Sequence, residues 1–175
     1  MNKALTLTEL IIAIALAGVI ILGVTSFDIS SRQMLKSSES KTQVMNEATL
    51  IMDRITKDAL TGIGDVGNPA ITISASFFNI TQDVNGNGIR DAVDPVISYE
   101  FDNAAHTLTR TVDTNPEETL SNKVVTFTSS LPGDNTANII ITLRKNPDPA
   151  VAVDAFENPE VTIQSSVEVP AWSIN

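Results

Sequence analysis

The chain of 175 residues has no cysteine, which excludes disulfides, thiolate metal sites and a cysteine nucleophile together. Its single histidine, His106, leaves no multi-histidine metal centre. Aromatic residues are scarce, with six Phe, one Tyr and one Trp, and no proline precedes Pro69. Positive charge is in deficit: 11 Lys and Arg stand against 21 Asp and Glu, a formal net charge of −10. A binder of nucleic-acid backbones needs a basic face, so no nucleic-acid partner is expected. The chain also lacks a P-loop, a dinucleotide fingerprint and a paired-carboxylate motif. A non-enzyme is the expectation.

What is present is unevenly spread. Residues 1–60 hold six basic and six acidic side chains, so the remainder carries the whole negative surplus along with all eight prolines. Two architectural units are expected. From Leu10 to Phe27 the chain runs eighteen residues without a charge, about 27 Å as a helix and close to the minimum for a bilayer. Glu9 stands at the front of that run. A carboxylate near the centre of a membrane costs about 2.5–3.5 kcal/mol, so Glu9 calls for a partner. Beyond the run, Met45, Ala48, Met52, Ile55 and Ala59 recur at helical spacing, which predicts one apolar face, with Lys41, Gln43, Glu47, Asp53, Lys57 and Asp58 on other faces. Gly62 and Gly64 then supply a stop. One continuous helix from Leu5 to Leu60 is expected.

Lys3-Ala4-Leu5-Thr6-Leu7-Thr8-Glu9 and the apolar run behind it resemble the leader and N-terminal helix of type IV pilins and type II secretion pseudopilins. That resemblance implies a leader over 1–4, cut by a prepilin peptidase between Ala4 and Leu5, and N-methylation of Leu5. Glu9 then becomes the fifth mature residue, which in this family pairs with the N-terminal amine of a neighbouring subunit. Ala4 and Leu5 replace the family's usual glycine and phenylalanine. The resemblance further implies a membrane segment over 5–27, an amphipathic helix over 28–62 and a globular domain over 63–175. Before assembly the chain would cross the inner membrane once with that domain in the periplasm, and afterwards stand in a cell-surface or periplasmic filament. Its expected partners are other pilin or pseudopilin subunits, the peptidase and the membrane. A signal peptide followed by an exported module remains the rival reading of the same N-terminus.

After Gly64 the pattern turns to alternation. Expected strands are Ala70–Thr81, Val96–Asp102, His106–Val112, Lys123–Ser129, Ala137–Arg144 and Glu160–Val169, with a hairpin at Asn103-Ala104-Ala105. The fold class is therefore α+β, a long helix packed on an antiparallel β-sheet and, given the resemblance, pilin-like. Arg54 with Asp58 near the helix end, Ile97-Ser98-Tyr99-Glu100-Phe101-Asp102, Thr107-Leu108-Thr109-Arg110 and Leu120-Ser121-Asn122-Lys123-Val124 are together similar to PilW/GspJ-like minor pilins. His106 and Glu117-Glu118 are expected in solvent.

The sharpest chemical motif is Asp83-Val84-Asn85-Gly86-Asn87-Gly88-Ile89-Arg90-Asp91-Ala92-Val93-Asp94. Its oxygen side chains fall in the spacing of an EF-hand-type calcium loop, with aspartate in place of the last glutamate. Asp83, Asn85, Asn87, Asp91 and Asp94 would supply side-chain oxygens and Ile89 its carbonyl, making a structural Ca2+ clamp. An Asn-Gly-rich solvated turn is the plainer reading.

Overall fold

A computed structural model of the chain describes residues 6–65, 68–74, 77–133, 136–154 and 156–168. The proposed cleavage and methylation positions Ala4 and Leu5, and Trp172, lie outside the described residues. The chain is α+β: among the described residues it has one helix, α1 (Leu7–Leu60), and eight antiparallel strands. At 54 residues α1 is about 81 Å long. Thr6 caps its start, accepting the Glu9 N–H while the Glu9 carboxylate accepts the Thr6 N–H at 2.9 Å. This capping box satisfies two backbone donors that the first turn leaves open. The helix runs unbroken through Gly18 and Gly23. It stops at Thr61, whose N–H turns back to Asp58 and Ala59. A side chain at Gly62 would sit 3.0 Å from the Ala59 carbonyl oxygen, so glycine lets the chain turn here.

The strands are β1 (Ile71–Ile73), β2 (Phe77–Thr81), β3 (Val96–Asp102), β4 (Thr107–Val112), β5 (Glu118–Ser121), β6 (Val124–Gly133), β7 (Thr136–Arg144) and β8 (Glu160–Glu168). They form two sheets, β1–β5 in chain order and β6–β7–β8. The single sheet expected from alternation is thus corrected. Likewise Ala70–Thr81 is a hairpin, with Ile71 opposite Ile80 and Ser74 donating to the Phe77 carbonyl, so that stretch is not one strand. Alternation continues on both sides of such a turn, and no Gly or Pro marks it. The hairpin between β3 and β4 forms where Asn103-Ala104-Ala105 predicts it, ending on His106 at φ 57°.

His106 is a second correction. It lies in the turn before β4 and is half-buried; its carbonyl accepts the Val124 N–H at 3.0 Å, and its Nδ1 lies 3.2 Å from the Val124 carbonyl. These bonds join the two sheets at their seam. Glu117 and Glu118 are exposed as expected, but Glu118 opens β5 and reaches Arg54 at 3.3 Å, so it belongs to a strand and not to a loop.

α1 packs on β8 and β7, and one core unites both sheets with it. Val44, Ala48, Ile51, Met52, Ile55 and Ala59 form the helix side, meeting Phe78, Ile80, Ile97, Tyr99, Leu108, Val124, Ile139, Ile141 and Leu143. Burying each large aliphatic here contributes about 1.5–3 kcal/mol. Met45 belongs to the expected face but is 53% exposed; Val44 and Ile51 are buried in its neighbourhood. Spacings of 3 and 4 admit two stripes that share Ala48, Met52, Ile55 and Ala59, and contact with the sheets selects between them.

Candidate functional site

Three places on this frame concentrate chemistry. The first is the N-terminal half of α1. Leu7, Leu10, Ile11, Ile12, Ile14, Leu16, Val19, Ile20, Ile21, Leu22, Val24 and Phe27 are all exposed. The apolar side chains cover every face, so no rotation of the helix hides them in water. This segment is long and apolar enough to cross a membrane. Glu9 sits at its N-terminal end, and its Oε2 accepts both the Thr6 N–H and the Thr6 hydroxyl, the latter at 2.8 Å. At the other end Asp28 and Arg32 pair at 2.9 Å one turn apart, which cancels their charge where the apolar run stops.

The second place is the loop 83–94, between β2 and β3. It docks on the C-terminal end of α1: Asp83 donates its N–H to the Thr61 carbonyl at 3.0 Å, and Gln82 Nε2 donates to the Thr61 hydroxyl. Gly86 and Gly88 take φ 67° and 70°, a left-handed backbone that glycine adopts without steric cost. Around them the predicted residues meet. Asp83 accepts the N–H groups of Gly86 and Gly88 at 2.7 and 2.9 Å. Asn85 Oδ1 accepts the Asn87 N–H, and Asn87 Oδ1 accepts the Ile89 N–H. Asp94 accepts from Val84 and Asp91 and thereby closes the loop. Asp91 accepts from Val93 and from Nδ2 of both Asn85 and Asn87; the Val93 bond foremost holds its carboxyl below the usual aspartate range, against desolvation and with help from the two Asn bonds.

The donor types suit a hard cation, which takes six to eight oxygens. The arrangement is nonetheless closed by its own hydrogen bonds. Among the described residues no three His, Cys, Asp or Glu side chains converge as a metal-holding group. Asn85 and Asn87 turn their NH2 groups toward Asp91, so a cation would have to exchange these bonds for amide oxygens. The end of α1 adds a favourable field, because the C-terminus of a helix carries partial negative charge.

The third place brings together Asp58, Tyr99 and Arg110, residues that the resemblance marks separately without joining them. Asp58, expected on a solvent face, is 8% exposed and receives the Tyr99 hydroxyl at 2.5 Å and Arg110 Nε at 2.8 Å. Burial foremost, then the Asp58 carboxylate, pushes the Tyr99 hydroxyl far up from 10.0, with Arg110 opposing in part. Burial alone would lower the Arg110 guanidinium, but its bonds to Asp58 and Tyr99 hold it raised. Glu47, also placed on an outer face by periodicity, accepts from Lys123 Nζ at 2.7 Å and from the Ser121 hydroxyl at 2.6 Å. These contacts tie α1 to β3, β4 and the β5–β6 turn. Nothing in the spacing of Asp58, Tyr99 and Arg110 announces a triad, since the partners are 41 and 52 residues away along the chain. The unusual feature was an acid at a position one turn from Ile55 and beside Ala59.

Comparison with family models, with curated proteins and with solved structures gives no match for this chain.

Proposed function

We propose that the chain is a prepilin-like structural subunit, a minor, tip-proximal pilin or pseudopilin that joins a type IV pilus or type II secretion pseudopilus. The single observation that carries this reading is the division of α1, apolar on every face and exposed up to Phe27, then docked along one stripe on the globular domain. A helix built this way is finished on one half only. A bilayer first and a bundle of like helices afterwards would complete the other half. The leader motif at Ala4, Leu5 and Glu9 supports the same reading. In it the peptidase cuts before Leu5, the new amine is methylated, and Glu9 exchanges its capping bonds for the amine of a neighbour. Pairing of two opposite charges in a low-dielectric bundle offsets their desolvation and fixes axial register. The globular domain then faces the periplasm or the exterior, and the role is assembly and not catalysis. Elaboration of the β-domain and its similarity to PilW/GspJ-like strands favour a minor over a major subunit.

Intact mass and N-terminal sequencing of the membrane-extracted protein test the reading. The expected product begins at N-methylated Leu5; cleavage after Phe27 would overturn it in favour of an exported module. Glu9→Gln should leave the thermal melt of the globular domain unchanged and reduce recovery in sheared filaments.

Loop 83–94 supports a structural Ca2+, with Asp83, Asn85, Asn87, Asp91, Asp94 and the Ile89 carbonyl as its ligands. The Gly86 and Gly88 conformations and the bonds to Asp83 favour it. A cation bound at a hundredfold excess over Kd adds about 2.7 kcal/mol to stability. EGTA should lower Tm, and Asp83→Ala should remove the difference. An intact protein with the same Tm in calcium and in EGTA would refute the site.

A further inference from the structure

The loop between β7 and β8 carries an exposed apolar group with no role in the core: Val151 at 37%, Val153 at 54% and Phe156 at 58% exposed. It lies at the end of the globular domain from which the free half of α1 emerges. Lys145, at the root of the loop, donates to Ser40 at 3.1 Å, and Ser40 is the first buried residue of the helix. A cleft between loop and helix is lined by Gln33, Lys36, Lys145, Asp154, Phe156 and Glu157. Asp154 shapes the loop by accepting the N–H groups of Phe156 and Glu157 at 2.6 and 3.0 Å. Those bonds, Glu157 first, hold its carboxyl below the usual range and keep it charged.

Height along the helix places this cleft. Gln33 lies about 9 Å and Lys36 about 14 Å beyond Phe27 at helical rise. The polar layer of a bilayer leaflet is about 5–7 Å deep. With an apolar run slightly shorter than the hydrocarbon core, its outer limit falls about 6–9 Å beyond Phe27. The loop residues that share this cleft with Gln33 and Lys36, namely Asp154, Phe156 and Glu157, are therefore about one side-chain length from the headgroups. A second exposed apolar group, Val84, Ile89 and Val93, sits at the opposite end of α1, about 50 Å from Phe27 and out of reach.

The charges select the lipid. Lys36 from the helix and Lys145, Asp154 and Glu157 from the loop line one cleft, and Asp148 adds a further negative charge on the same loop. An anionic surface would be repelled by this net acidic loop. A headgroup with a phosphate and an ammonium matches both signs, with Phe156 and Val153 against its glycerol region. We propose that the loop after β7, with Val151, Val153, Phe156 and the Lys36–Lys145–Asp154–Glu157 cleft, seats the globular domain on zwitterionic phospholipid headgroups beside its own helix. This rests on the reading of α1 as membrane-spanning, and it gives the unassembled subunit a fixed posture on the membrane.

The absence of cysteine makes single-site labelling of the full-length chain direct. Val153→Cys, Val19→Cys and Thr128→Cys are each labelled with an environment-sensitive fluorophore, at one copy per phosphatidylethanolamine–phosphatidylcholine nanodisc, after a thermal melt has checked folding. Headgroup-nitroxide lipid should quench the label at 153 at least threefold more than that at 128, and acyl-chain nitroxide should quench the label at 19. Adding Phe156→Ser, or exchanging the lipids for phosphatidylglycerol, should at least halve the quenching at 153. Equal quenching at 153 and 128 with a quenched label at 19 overturns the headgroup contact and leaves the spanning helix standing. An unquenched label at 19 removes the spanning premise and the proposal with it. Shielding of 153 that needs two copies per disc would assign the patch to a second subunit, and undiminished quenching in phosphatidylglycerol would refute the zwitterionic preference.

Discussion

Up to Glu39 the described part of α1 buries no side chain, whereas from Ser40 onward eight residues of the same helix are buried. The two halves share a backbone geometry but not an environment. The C-terminal half is amphipathic, and sheet side chains complete its stripe. The N-terminal half has no polar face to leave in water. One helix is thus stabilised by its own domain over part of its length and depends on something outside the chain for the rest. Substitutions should therefore act on folding in one half and on insertion or assembly in the other.

The largest expected effect breaks the docked half at its charged lock. Arg110→Ala leaves Asp58 with the Tyr99 hydroxyl but no cation, and removing one partner of a buried pair costs about 3–5 kcal/mol; chemical denaturation would measure it. Next, Ile55→Ala should destabilise by about 2–5 kcal/mol. Ile14→Ala, at an exposed position in the free half, should change the same melt in detergent by no more than about 0.5 kcal/mol. A large loss from Ile14→Ala would erase the contrast between the halves. Tyr99→Phe should cost about 1 kcal/mol at neutral pH and sharpen the comparison through its pH dependence. Because the folded protein raises the Tyr99 hydroxyl above its ordinary 10.0, its contribution is complete below that pH. It declines as pH rises toward the folded value, so the wild type should lose an alkaline increment of stability that Tyr99→Phe lacks. Tyr99 is the chain's only tyrosine, so phenolate absorbance should appear together with unfolding. The smallest effect is at the exposed Asp28–Arg32 pair, where Asp28→Asn should cost about 0.3–0.5 kcal/mol and vanish in high salt.

Legibility from sequence followed the same division. The helix was readable almost to its ends: Gly62 and Gly64 mark its stop, but the expected start is Leu5, whereas Thr6 is an extended N-cap and the helix begins at Leu7. Most strands were readable because alternation is a property of neighbours. The β1–β2 hairpin was missed because its turn carries no Gly or Pro, and β5 because Glu117-Glu118 looks like solvated chain. The residues of loop 83–94 were legible from spacing alone; that Asn85 and Asn87 present NH2 groups to Asp91 was not.

By itself the sequence determined the secondary structure class, the uncharged run of α1 and the oxygen-rich loop, all of which rest on contacts within a few residues. Only the tertiary structure decided which helix stripe is buried, that the strands divide into two sheets, and that Asp58, Tyr99 and Arg110 meet. The reason is that a charge tolerates burial only beside partners, and these partners come from distant strands that packing alone brings to the helix. His106 makes the same point: in the chain it opens an expected polar strand facing solvent, and in the fold it sits in the turn before β4 at the seam between two sheets.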